Sequence, residues 1–295
     1  MSETFRSGFA ALAGRPNVGK STLVNRLVGE HVAAVSPTPQ TTRRRALGVV
    51  SGPAHQLVLV DLPGFQRPID RLTERMQRSV DEAVADVDAV VFMLNAREPV
   101  GGGDRLIAGR VLRPGGPPCV IAVNKVDRAG PAAVARTIAA VAELGDFHSL
   151  HPISALTGEG VDAMLADLVS LLPEGPRFFP DGTVSDQSVE QRIGEAVREA
   201  ALAHAREELP HAVAVMVDEI QPGPRSTRVT ARMICETESQ KGILIGRRGA
   251  MVKRIGTQAR PAIESILGGP VMLDLSVRVR PHWRRDAGEL DRLGV

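Results

Sequence analysis

The sequence predicts an α/β domain, with helices covering a mixed, mostly parallel sheet, followed by a smaller α+β domain. Three observations carry this. Residues 8–172 alternate apolar strand-like runs with helical patterns, the rhythm of helix-covered parallel strands. The stretch PEGPRFFPDGTVSD then interrupts that rhythm with Pro, Gly and acidic residues. Beyond it the order of elements changes to α-β-β-α-α-β. A chain of 295 residues also exceeds the roughly 100–200 residues of one domain. The expected boundaries are a first domain at 1–173, a linker at 174–185 and a second domain at 186–295.

Taken in order, the apolar runs of the first domain are GFAALAG, QLVLVDLPG, DAVVFMLNA, PPCVIAVNK and HSLHPISA. Helical patterns fall between them near 20–29, 71–87, 103–112, 131–143 and 160–172. The Ala-rich AAVARTIAAVAEL has both the propensity and the three-to-four-residue apolar spacing of a helix. In the second domain a helical pattern, QRIGEAVREAALAHAREEL, precedes two extended runs, HAVAVMVDEI and TRVTARMICE. A Gly-containing helical stretch, QKGILIGRRGAMVKRIGTQARPAIESIL, and a last extended run, VMLDLSVRVR, complete it.

Composition excludes several classes. Hydrophobic residues at 43% and charged residues at 24% suit a chain that buries a core, and neither a disordered nor a membrane-spanning one. No apolar run approaches the roughly 20 residues of a membrane span, and MSETFRSGFAALAG lacks a secretory pattern. A cytoplasmic location and a monomer are expected. Cys119 and Cys235 are the two cysteines, expected as buried free thiols in different domains. The net charge of +2 conceals an asymmetry: from residue 239 onward there are 11 Lys and Arg against 5 Asp and Glu. A basic face therefore belongs to the second domain.

The chemistry of the first domain begins at GRPNVGKS, a G-x-x-x-x-G-K-[ST] pattern that follows a predicted strand and opens a predicted helix. Gly14 and Gly19 permit a tight wrap of Gly14, Arg15, Pro16, Asn17, Val18 and Gly19. The N–H groups from Asn17 through Thr22 can then face phosphate oxygens. Lys20 is expected to reach the β- and γ-phosphates and Ser21 to ligate Mg²⁺. In VDLPG, Asp61 stands where a water-bridged Mg²⁺ partner belongs, and Gly64 where a backbone N–H senses the γ-phosphate; Leu62, Pro63 and Phe65 flank them. In SPTPQTTRRR, Thr42 is chosen over Thr38 and Thr41 to complete the metal shell when that loop orders. Lys20, Thr42 and Gly64 are the expected catalytic set.

Base identity is read from VNKVD. An Asp127 carboxylate can accept from both guanine N1–H and the 2-amino group, a donor pair adenine lacks, and a mismatch leaves that carboxylate unpaired. Asn124, Lys125 and Val126 precede it. Downstream, ISAL offers the Ser154 and Ala155 backbone to guanine O6, and Leu156 completes the nucleotide-binding run. Five signals in the order and strand-end context of one site point to the carboxyl edge of the sheet.

In the second domain, Gly246-Arg247-Arg248-Gly249 lies between two apolar-periodic helical stretches, the requirement of a K-homology loop. Lys241, Arg247, Arg248, Lys253 and Arg254 supply phosphate-directed charge. Ile243, Ile245, Val252 and Ile255 are candidates to wall a groove for unstacked bases. Trp283 is expected to be a packing anchor rather than a base-stacking residue, and the histidines show no metal-ligand spacing.

These motifs resemble the translation-factor-related class of P-loop GTPases. The GTPase motifs, PQTTR in the switch, a short linker and ESQKGILIGRRG together resemble the Era family over essentially the whole chain. The resemblance implies a P-loop GTPase domain followed by a type II K-homology domain, with GTP and GDP as ligands and Mg²⁺ as cofactor. It also implies action on the small ribosomal subunit, through binding of single-stranded small-subunit rRNA near its 3′ end, and a peripheral membrane attachment. Asn17 resembles the phosphate loops of members that recruit K⁺. Two departures stand out. Phe65 occupies the position of the water-orienting Gln of Ras-like enzymes, and Leu62 the position where the nearest family carries Thr.

Two functions remain open on the residues. In one, GTP orders the 32–46 loop and the turn after Gly64, changing how the RNA-binding domain is presented, and hydrolysis drives release. In the other, the chain binds GTP and RNA with little hydrolysis of its own. A tandem-domain ribosome GTPase is disfavoured by the single phosphate loop.

Overall fold

The computed structural model describes residues 4–35, 46–62, 71–74, 76, 86–204 and 213–293. They divide into two compact units. The first holds residues 4–32, 46–62 and 86–186, and the second 33–35, 71–74, 76, 187–204 and 213–293.

The first unit is built on a six-stranded sheet ordered β2-β3-β1-β4-β5-β6. The strands are β1 (Arg6–Gly14), β2 (Ala46–Ser51), β3 (His55–Asp61), β4 (Ala89–Asn95), β5 (Cys119–Asn124) and β6 (Ser149–Ile153). All neighbours pair in parallel except β2 with β3. Among the described residues four helices accompany the sheet: α1 (Lys20–Val28), α2 (Gly102–Val111) and α3 (Pro131–Val141) between strands, and α4 (Val161–Ser170) after β6. The five expected strands are present, and β4 and β5 are apolar along nearly their whole length because both faces are covered. β2 is absent from the apolar runs read above, since Gly48 interrupts it and its neighbours are short. Of the helical pattern expected at 71–87, residues 71–74 and 76 are helical and most of the rest lies outside the described residues.

The chain leaves β1 toward β3 on one side and toward β4 on the other. The sheet order therefore reverses at β1, and the crevice beyond the carboxyl ends of β1 and β4 is where an α/β sheet takes a ligand. The loop after β1 is the phosphate-loop motif.

Residues 173–186, which include the linker expected at 174–185, run along the first unit. Ser7 N–H donates to Pro173 O at 3.0 Å, and Gly175 N–H to Phe5 O at 3.1 Å. The buried Gln56 side chain is the fastening: its Oε1 accepts from Phe178 N–H at 2.7 Å and Phe179 N–H at 2.9 Å, and its Nε2 donates to Phe179 O at 3.0 Å. Farther on, Val49 N–H donates to Val184 O at 2.9 Å and Leu47 N–H to Asp186 Oδ1 at 2.9 Å. This occupies the outer edge of β2, which would otherwise present unpaired N–H groups.

The second unit comprises α5 (Val189–His204), β7 (Ala214–Gln221), β8 (Thr227–Cys235), α6 (Glu238–Ile245), α7 (Ala250–Leu267), β9 (Val271–Val279) and α8 (Ala287–Leu293). Its sheet runs β7-β8-β9, antiparallel then parallel, and α8 follows the expected α-β-β-α-α-β order. Ile193, Val197, Val229, Met233, Leu244, Ile255 and Ile263 form the core. A second cluster surrounds the fully buried Trp283, with Leu72, Met76, Ala214, Ile234, Leu290 and Leu293. Trp283 is thus a packing anchor. Both cysteines are free and buried, and burial pushes the Cys119 thiol up to about 12. Among the described residues no helix is long and apolar enough to cross a membrane.

Replacing Gln56 by Ala leaves the Phe178 and Phe179 N–H groups without their acceptor. At roughly 1–3 kcal/mol for each buried unsatisfied group, a loss of about 2–4 kcal/mol in unfolding free energy is expected, read from the urea midpoint.

Candidate nucleotide site and nucleic-acid interface

In the first unit the carboxyl ends of β1, β3 and β5 and the loop after β6 bring the sequence-predicted residues together. Gly19 shows why the phosphate loop needs glycine. Its φ is 111°, and a Cβ there would lie 2.2 Å from the Asn124 Nδ2. Asn17 also takes a left-handed φ of 62°, and its carbonyl accepts from the Lys125 ammonium at 2.6 Å. Lys20 opens α1 and is buried, donating to Gly14 O and Arg15 O at 3.2 Å each. Burial lowers its pKa to about 8, against an opposing pull from Asp61. An anion arriving here would restore the ammonium's preference for charge.

Ser21, one residue on, donates its hydroxyl to Asp61 Oδ2 at 2.8 Å. A hydroxyl and a fully buried carboxylate at the end of β3 are hard oxygen donors of the kind Mg²⁺ takes. Arg15 is turned toward α2, pairing with Glu98 at 3.2 Å and Asp104 at 3.5 Å. Val18 is buried and Thr22 lies in α1. Leu62 is fully buried in the apolar core, so its side chain serves packing and only its backbone can face a ligand. Thr38, Thr41, Thr42, Pro63, Gly64 and Phe65 lie outside the described residues.

Asn124 joins three loops. Its Nδ2 donates to Val18 O at 2.8 Å, and its Oδ1 accepts from Ala155 N–H at 2.9 Å. The Ala155 N–H, expected at guanine O6, is thereby engaged by Asn124. Lys125 sits at φ 70° before a short 3₁₀ turn, Val126–Arg128. Its ammonium is held below the usual lysine range by burial. Asp127 accepts the Ser154 hydroxyl at 2.7 Å. That bond fixes a carboxylate whose other oxygen lies 3.4 Å from Arg128 Nε. Leu156 is 53% exposed, available to cover a planar base.

In the second unit, α6 begins with a capping box. Gln240 N–H donates to Thr237 Oγ1 at 3.2 Å, and Gln240 Oε1 accepts from Thr237 N–H at 3.2 Å. The four residues are TESQ, a Thr-x-x-Gln pattern. The helix ends at Gly246, φ 69°, where a Cβ would meet Met251 N at 2.9 Å. Arg248 takes a left-handed φ of 52° and, with Arg247, is exposed in a short 3₁₀ turn, Arg247–Gly249. Lys253 and Arg254 are exposed on the first turns of α7, and Lys241 pairs with Glu238 at 3.5 Å. Ile243 is 49% exposed and Ile245 half-buried. Val252 is packed against the core and Ile255 is wholly inside it. Ile255 therefore cannot line a groove for bases, because the same helix turns it onto the sheet.

Three residues escaped the motif reading: Arg26, Gln56 and the Ser154 hydroxyl as a partner of Asp127. The first two bond across more than a hundred residues of sequence, and no local pattern marks them.

The family model described as 50S ribosome-binding GTPase matches residues 9–125, and the KH domain model matches 208–284. The chain is 43% identical over 297 residues to GTPase Era of Mycobacterium avium, covering 98% of this chain and 99% of that protein. It is 44% identical over 299 residues to GTPase Era of Mycobacterium tuberculosis, with the same coverage. A crystal structure of Era in complex with MgGDPNP and nucleotides 1506–1542 of 16S ribosomal RNA is similar at TM-score 0.93 and 36% identity, covering 98% of this chain and 99% of that one. An Aquifex aeolicus Era variant bound to GDP·AlF4⁻ matches with the same TM-score, identity and coverage.

Substituting Asn124 by Ala removes both its bonds and orphans Val18 O and Ala155 N–H. Guanine-nucleotide affinity is expected to fall by at least about tenfold, each unsatisfied group costing roughly 1–3 kcal/mol, as measured by titration with a fluorescent GDP.

Proposed function

We propose, from the premise that the chain belongs to the Era family of GTPases, that it hydrolyses GTP and acts as a nucleotide-switched assembly factor of the small ribosomal subunit. It binds single-stranded small-subunit rRNA near the 3′ end. The observation that carries the nucleotide half is Asn124, bonded at once to the phosphate loop and to the loop after β6, beside an Asp127 oriented by Ser154. The RNA half rests on the exposed Arg247, Arg248, Lys253 and Arg254 around the glycine loop, and on an Era relative crystallised with 16S rRNA nucleotides.

The site fits Mg²⁺: Ser21 would hold it directly, Asp61 through water, with Thr42 from the switch loop completing the set. Bound there, Mg²⁺ neutralises charge on the β- and γ-phosphates. The chain's own residues do the rest. Lys20 supplies the fixed positive charge at the β- and γ-phosphates, and the N–H groups of the phosphate loop and the first turn of α1 orient them. The Gly64 N–H senses the γ-phosphate. Asp127 selects guanine, and Leu156 covers the base. Because Phe65 carries no group that can orient water, the attacking water is positioned by another device, and Asn17 is assigned to hold K⁺ as a second charge near the phosphates. Peripheral attachment to the cell membrane is carried by the family resemblance alone.

Single-turnover cleavage of GTP is expected to be faster with K⁺ than with Na⁺, and Asn17→Ala to lose that preference. Absence of phosphate release under any K⁺, RNA or ribosomal-subunit condition would leave a GTP-binding RNA protein in place of an enzyme. Replacing both Arg247 and Arg248 by Ala is expected to weaken single-stranded RNA binding. The slope of log affinity against log salt should fall by about 1.4, near 0.7 per lost phosphate contact.

A further inference from the structure

The loop after β6 satisfies most of its own backbone. Ser154 O accepts from Gly158 N–H at 2.8 Å and Ser154 N–H donates to Glu159 O at 2.9 Å. Ser154 Oγ accepts from Thr157 N–H at 3.1 Å, and Ala155 N–H is engaged by Asn124. Two carbonyls, those of Ala155 and Leu156, are met from outside the loop, both by one side chain. Arg26 Nε donates to Ala155 O at 3.4 Å, and Arg26 Nη2 donates to Leu156 O. The arginine's stem passes Gly158, where a Cβ would be 4.0 Å from Arg26 Cδ.

Arg26 stands on α1, the helix whose first residue is Lys20. Six residues at 1.5 Å rise separate the two by about 9 Å along one rigid element. One end of α1 faces the phosphates, and the other grips the loop that meets the base. In a trans peptide, C=O and the following N–H point to opposite sides. Anchoring Ala155 O to Arg26 therefore sets the Leu156 N–H to face away from α1, while the N–H after the second anchored carbonyl, that of Thr157, is spent on Ser154.

We infer that Arg26 is a positioning residue for guanine selection: by holding the Ala155 and Leu156 carbonyls against α1, it aims the Leu156 N–H at guanine O6. The guanidinium touches no part of the nucleotide. Its planar fork reaches two carbonyls at once, which a lysine's single ammonium does less well. The inference rests on the reading of this site as a guanine-nucleotide site.

The test compares GDP with 6-thio-GDP, which keeps N1–H and the 2-amino group but offers sulfur, a poor acceptor, at position 6. In the wild-type chain GDP is expected to bind several-fold more tightly than 6-thio-GDP. Arg26→Ala should weaken GDP on the order of tenfold and 6-thio-GDP much less, collapsing the preference toward one. Arg26→Lys should restore part of it, with the thermal midpoint of the nucleotide-free protein unchanged in both variants. Equal weakening of the two nucleotides, or no weakening of either, overturns the role of Arg26. Failure of the wild type to prefer GDP over ADP would instead overturn the guanine-site reading itself.

Discussion

The two bonds of the Asn124 side chain are the constraint on which the nucleotide site depends. A phosphate loop, a base-reading turn and a base-covering loop come from β1, β5 and β6, and none of them is regular structure. A buried amide with one donor and one acceptor engaged holds the first and last of these at hydrogen-bonding distance, and its own strand supplies the second. The demand is mutual. Gly19 must lack a side chain because the amide nitrogen occupies that space, so the glycine of the phosphate motif answers to the end of β5 as well as to its own loop. The parallel sheet makes the meeting possible by ending β1 and β5 on one edge.

Charge is organised on the same principle of placing it where a partner will take it up. Lys20 is buried with its ammonium on two carbonyls, a costly position without an anion. The basic residues of the second unit do the opposite: Arg247, Arg248, Lys253 and Arg254 stay in solvent, where phosphate oxygens reach them without a desolvation penalty on the protein side. One site waits with its charge desolvated, the other with its charge hydrated.

Much of this was legible because the motifs are local. Gly14 to Ser21, Asn124 to Asp127 and Gly246 to Gly249 each announce a backbone shape, and each takes it. The strands followed from continuous apolar runs. Residue pairs far apart in sequence were not legible. Nothing near Gln56 says that it will hold Phe178 and Phe179, and nothing in ISAL says that the Ala155 N–H is taken by Asn124. β2 escaped because Gly48 breaks the one-dimensional signal without breaking the strand. Ile255 looked like a groove residue because periodicity cannot tell which apolar stripe of a helix faces its own sheet.

The second unit is assembled from separated stretches of chain: Leu72 and Met76 pack on Trp283, Leu290 and Leu293, more than a hundred residues downstream. The unit is therefore not a genetic cassette. A fragment beginning at Gln187 would keep its sheet and its glycine loop but bare part of the tryptophan's surroundings to water. Recombination at the 173–186 strap would join a foreign domain to an apolar cluster that lacks Leu72 and Met76. Two domains that look separable in a linear diagram are interleaved along the chain.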